Sequence, residues 1–123
     1  MNAMALLAGV IGWPVAHSLS PRVHRYWLRT LGIAGDYVPL AVRPDGLAAA
    51  IAGLRALGFA GANVTVPHKA AVLPLLDSFD DIARRAGGAN TLVVGADGAI
   101  TGTSTDGFGF LESLRAAVPG WTP

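Results

Sequence analysis

The chain has 123 residues, nine Lys or Arg against eight Asp or Glu for a formal net charge of +1, and no cysteine. That length fits one ordinary domain, large enough for a hydrophobic core and too short for two full-sized units. Disulfides, a thiolate nucleophile and a cysteine-based zinc site are excluded. The arginines are scattered without a basic block, which argues against nucleic-acid and membrane-surface partners, and a cytoplasmic location is expected.

The apolar stretch from Met4 to Trp13 is preceded by no positive residue and is soon broken by Gly and Pro, so it is not a signal-peptide core. It is also far shorter than the ~20 residues of a membrane span. Within it, 6–11 reads as a buried strand, and Met1-Asn2-Ala3 ahead of a second Met reads as a cloning remnant. Ser20-Pro21 opens a helix, with Ser20 as the N-cap, Pro21 in the first turn and Gly32 as the stop. A second strand is expected over 36–42, then an Ala-rich helix capped by Asp45 and closed by Gly58, then a third strand over 61–66 ending at Pro67. Beyond it the pattern predicts a helix over 67–76 and another over 80–85. Two strands joined by Ala96-Asp97-Gly98 should form a hairpin, with a last helix over 106–117. Such alternation predicts an α/β fold with a mainly parallel sheet covered by helices on both sides.

Parallel α/β sheets bind ligands beyond the carboxyl ends of their strands. Ser18 and Ser20 follow the first strand, Thr65 and Lys69 the third, and Asp106 the last. If the last strand is parallel to the others, its hairpin partner begins at the same edge and brings Asn90 there. Several of these residues also have structural explanations. Ser20 serves as a cap, and Thr65 is a β-branched residue in a strand. Ser18, beside the free N–H groups of a helix start, suits a carboxylate or phosphate as readily as a structural role. His17 and His24 show no metal-ligand spacing, so no metal is expected, and His68 is expected to be solvent exposed.

Lys69 is the single lysine of the chain. Placed two residues into a helix opened by Pro67, it would sit where the macrodipole disfavours a cation by ~0.3–1 kcal/mol. That position suits an amine trading protons with a substrate better than a structural lysine; a solvated lysine tolerated at small cost is the other reading. Gly107 and Gly109 supply G-x-G, but the third glycine of a dinucleotide fingerprint would fall on Glu112. The motif fails.

The stretches G-V-I-G-W-P-V-A-H-S-L-S-P-R-V-H, G-A-N-V-T-V-P-H-K, A-N-T-L and T-D-G, in this order, closely resemble the N-terminal substrate-binding domain of the shikimate dehydrogenase family. The resemblance covers essentially the whole chain after Met4. It implies a three-layer α/β/α sandwich, mostly parallel with one antiparallel strand. It also implies a small-molecule substrate, shikimate or 3-dehydroshikimate, in aromatic amino-acid biosynthesis. Ser18 and Ser20 would bind the substrate carboxylate, and Thr65 and Asn90 would help hold carboxylate and ring hydroxyls. Lys69 with Asp106 would form the catalytic pair, Lys69 giving a proton to the carbonyl oxygen as hydride arrives from NADPH. NADP would bind a C-terminal Rossmann domain absent from this chain, so no cofactor is expected here and no turnover by 4–123 alone. Ser104 and Arg25 stand where the family commonly has Asn, and Gly87-Gly88-Ala89-Asn90 where Gly-Ala-Val-Asn is usual. Ser104 is expected to alter how Asp106 is held, or to mark a paralogue preferring quinate. A stand-alone, non-catalytic binding module and a fragment self-associating through an exposed interdomain surface are the competing readings.

Overall fold

A computed structural model describes residues 5–123 of the chain; the expected cloning remnant, Met1 to Ala3, lies outside them. In chain order the elements are β1 (Leu6–Gly12), α1 (Ser20–Thr30), β2 (Gly35–Ala41), α2 (Leu47–Ala56), β3 (Gly61–Val64), β4 (Ser78–Phe79), α3 (Asp81–Ala86), β5 (Thr91–Val94), β6 (Ile100–Thr103) and α4 (Asp106–Ala117). The strands form one sheet in the order β2-β1-β3-β5-β6-β4. β1 pairs in parallel with β2 and β3, and β4 with β6, while β5 runs antiparallel to both its neighbours. One antiparallel strand in an otherwise parallel sheet is the expected arrangement, and it leaves β6 parallel to β1, β2 and β3.

Strand alternation divides the core. Ile11, Ala62, Val64, Leu92 and Ile100 point to one face, where Leu47, Ile51 and Leu54 of α2 and Ala83 of α3 cover them. Val10 and Tyr37 point to the other, against Leu28 of α1. On that second face the sheet is open beyond β3. Thr91, Val93, Thr101 and Thr103 line a hollow of about 330 Å³ there, and Val93 is 55% exposed. α4 buries none of its residues. The expected cover of helices on both faces is thus complete on one side only among the described residues.

Several local expectations need correction. Ser20 is not the N-cap of α1: Leu19 occupies that position, and Ser20 is the first helical residue, its N–H donating to Ser18 Oγ at 3.2 Å. The Ala-rich helix is not capped by Asp45, which lies in a 3-10 turn, Pro44–Gly46, ahead of α2. Beyond β3 the expected helix over 67–76 does not form; turns lead into one short 3-10 turn, Leu73–Leu75. Pro74 has no N–H to return to Ala70, so the Ala70 carbonyl takes Leu73 instead, and the Lys69 carbonyl accepts from Ala89 rather than from its own segment. The helix expected over 80–85 forms as α3, with Asp80 as its N-cap, Asp80 Oδ1 accepting from Ala83 N at 2.9 Å.

Candidate active site

The parallel strands β1, β3 and β6 all end at one sheet edge, so the segments after them meet there. Ser18 and Ser20 follow β1, Thr65 and Lys69 follow β3, and Asp106 follows β6 as the first residue of α4. Asn90 stands just before antiparallel β5 and therefore reaches the same edge. Three of the six residues are joined directly. Lys69 Nζ donates to Asp106 Oδ2 at 2.7 Å, and Asn90 Nδ2 donates to Asp106 Oδ1 at 3.1 Å. Ser18, Ser20 and Thr65 lie at the same edge but share no side-chain hydrogen bond with that trio among the described residues.

The electrostatic reading of Lys69 changes with the structure. No helix begins at Pro67, so Lys69 does not lie in a helix start of its own segment. The helix start beside Lys69 belongs to α4, where Asp106 in the first turn is the favoured charge, by ~0.3–1 kcal/mol. The Lys69 and Asp106 side chains are 37% and 54% exposed. A pair so open to water contributes roughly 0–1 kcal/mol to stability, so folding alone does not account for holding both charges at the edge. His68, expected to be exposed, is buried, and its Nε2 donates to the Val42 carbonyl at 2.6 Å. That bond ties the segment carrying Lys69 to the end of β2. Ser104 is also buried, and Asp106 is held by Asn90 and Lys69 rather than by it.

Behind the trio runs a polar line that the sequence reading missed. Tyr37 OH donates to Asn63 Oδ1 at 2.8 Å, Asn63 Nδ2 donates to Thr91 Oγ1 at 3.3 Å, and Thr91 OH donates to Asn90 Oδ1 at 2.9 Å. Burial pushes the Tyr37 hydroxyl up to about 12, opposed by the polar Ser20 side chain. The His24 ring stacks on Tyr37 at 3.9 Å between centroids, and His24 Nδ1 lies 3.0 Å from the Ser20 carbonyl oxygen. One signal for this line was available: Asn63 interrupts an apolar strand, and a half-buried amide requires partners.

No dinucleotide cradle forms around Gly107 and Gly109. Both lie in the first turn of α4, and a Cβ added to either would meet nothing within 4 Å, so neither glycine serves a close backbone approach. No cluster of three His, Asp or Glu suited to a metal occurs among the described residues. No described helix is long and apolar enough to cross a membrane.

Fold and edge together define an α/β domain that gathers an amine, a carboxylate, an amide and several hydroxyls at one sheet edge. The model of the shikimate dehydrogenase substrate-binding domain matches residues 10–92, and the chain belongs to this family. It is 56% identical over all 123 residues to shikimate dehydrogenase (NADP(+)) of Paramagnetospirillum magneticum, and spans 45% of that protein's length. Among solved structures, shikimate dehydrogenase from Aquifex aeolicus superposes with a TM-score of 0.91 at 41% identity, over 97% of this chain and 44% of the other. Shikimate 5-dehydrogenase from Thermus thermophilus in complex with shikimate gives 0.88 at 39% identity, over 96% of this chain and 45% of the other. The chain thus spans less than half the length of these relatives.

Proposed function

We propose that the chain is the substrate-binding half of an NADP-dependent shikimate dehydrogenase, with Lys69 and Asp106 as its proton-handling pair. The observation that carries this reading is the 2.7 Å contact between Lys69 and Asp106, with Asn90 on the second carboxylate oxygen. In this reading the Lys69 ammonium gives a proton to the carbonyl oxygen of 3-dehydroshikimate, or takes it back from the alcohol in the reverse direction. Asp106 holds the ammonium and accepts from a ring hydroxyl. Ser18 and Ser20, at the start of α1, receive the substrate carboxylate through their hydroxyls, and Thr65 and Asn90 hydrogen-bond carboxylate and hydroxyls. In this reading these residues serve substrate binding and proton traffic.

Calorimetry with shikimate on the chain and on Lys69→Ala tests the binding part. Absence of detectable binding at millimolar ligand would refute it. With NADPH and 3-dehydroshikimate the chain alone should show no turnover, and a measured rate would overturn the division of labour. In a protein that joins this domain to a dinucleotide-binding one, Lys69→Ala should lose about 10²-fold or more in kcat; a stand-alone binding module would show no rate to lose. Quinate run beside shikimate decides the preference that Ser104 raises. The cysteine-free composition accords with a cytoplasmic enzyme. The exposed Phe108 and Phe110 of α4, 70% and 69% accessible, are the apolar surface through which the chain would self-associate, and sedimentation at rising concentration measures that.

A further inference from the structure

We propose that Thr91 is a positioning residue, the anchor that fixes the Asn90 side chain, and with it Asp106, to the sheet. The Asn90 side chain takes part in four hydrogen bonds. Nδ2 donates to Thr105 Oγ1 at 2.9 Å and to Asp106 Oδ1 at 3.1 Å, and Oδ1 accepts from Thr105 N at 3.1 Å and from Thr91 OH at 2.9 Å. Three of the four therefore lead to the start of α4, a helix that buries none of its residues. Those three lock Asn90 and Asp106 into one unit, and the Asn90 backbone is paired in the sheet with Thr103 and Val64, but neither fixes the rotation of the Asn90 amide against the sheet. The fourth does, because Thr91 is the first residue of β5 and its side chain is half-buried.

The direction of this bond is set from behind. Asn63 Nδ2 can only donate, so Thr91 Oγ1 accepts from it, at 3.3 Å, and turns its own hydrogen to Asn90 Oδ1. Asn63 is in turn oriented by the buried Tyr37 hydroxyl on its Oδ1. Every link runs from the interior outward, ending at the carboxylate that Lys69 faces. A methyl in place of the Thr91 hydroxyl breaks the line at its one connection between sheet and Asn90 side chain. Asn63 Nδ2 keeps a partner in the Asn90 carbonyl, at 3.1 Å, so the loss is confined to positioning.

The variants Thr91→Val, isosteric but without a donor, and Thr91→Ser, which keeps the hydroxyl, test this in the full 123-residue chain, with Thr91→Ala as a second hydroxyl-free variant should Thr91→Val fail to fold. Two readouts are needed. NMR gives the hydrogen exchange of the Asn90 side-chain amide, and calorimetry gives the affinity for shikimate; the second rests on the function proposed above, the first does not. Thr91→Val should exchange about tenfold faster and bind about tenfold more weakly, a difference of about 1.4 kcal/mol. Thr91→Ser should return both to within about threefold of the parent, the size of effect left when the hydrogen bond survives and a methyl is lost. Unchanged exchange in Thr91→Val, or Thr91→Ser as impaired as Thr91→Val, overturns the proposal. A parent chain that binds no shikimate sinks the functional reading and leaves the exchange result to decide the anchor.

Discussion

Replacing Tyr37 by Phe removes one oxygen from the interior and leaves the ring in place. Tyr37 is 3% exposed, and its hydroxyl donates to Asn63 Oδ1 at 2.8 Å. Without it the amide oxygen of Asn63 loses its partner inside the protein, a cost of about 1–3 kcal/mol. Urea unfolding at pH 7 should therefore show a lower midpoint with an unchanged slope. The pH dependence gives the second half of the prediction. Burial raises the folded hydroxyl to about 12 from its ordinary value of 10.0. Between those values the unfolded chain binds fewer protons than the folded one, so stability falls as pH rises. The contribution is fully present below pH 10 and is lost as pH climbs toward 12. Tyr37→Phe has no such group, so the gap between the two proteins should narrow above pH 10. A gap below about 0.3 kcal/mol at neutral pH, well under the cost of an unpaired buried acceptor, would refute the reasoning. So would a gap that stays constant through about pH 11, roughly the middle of the window set by these values.

Other perturbations probe the rest of the frame. Gly61→Ala should destabilise by about 1–3 kcal/mol or more, because its Cβ would run into the Leu92 carbonyl oxygen on the paired strand; thermal unfolding measures this. Ser18→Ala strips the acceptor from Ser20 N and should cost about 0.5–1 kcal/mol in unfolding free energy, with a weaker affinity for shikimate by calorimetry. Asp80 is held below the ordinary carboxylate range by the Thr103 hydroxyl and then by the Ala83 N–H. Its contribution is present above the unfolded value of about 3.9 and is lost as pH falls below it. Acid unfolding followed by circular dichroism should accordingly lose its steepness below about pH 4 in Asp80→Asn.

The parts of the fold that were legible in the sequence are those carried by local signals. The apolar run of β1, the Ala96-Asp97-Gly98 turn between β5 and β6, and the Asp106 start of α4 each announce themselves within a few residues. The segment after β3 did not. Its apolar spacing reads as a helix, but Pro74 withholds an N–H and Ala89 takes the Lys69 carbonyl from a distant part of the chain. The two-residue strand β4 is too short to leave a pattern at all. At the site, Lys69, Asp106 and Asn90 could be placed together from strand order and one hairpin. The reason first given for Lys69 was wrong, since the helix dipole belongs to Asp106. Asn63 left one trace, an amide in an apolar strand, but Tyr37 and Thr91 were not legible, because they lie 26 and 28 residues from it on different strands and each alone is an ordinary strand residue.

Lys69 carries the only side-chain amine in the molecule. Any reagent selective for amines therefore marks, apart from the chain terminus, one atom, and that atom sits at the candidate site, 37% exposed and held by Asp106. Reductive methylation would install one side-chain reporter beside that at the terminus without mutating a residue, and protection of Lys69 by an added acid, read by mass, would report occupancy of the site. The scarcity of lysine makes the site chemically addressable in the unmodified protein.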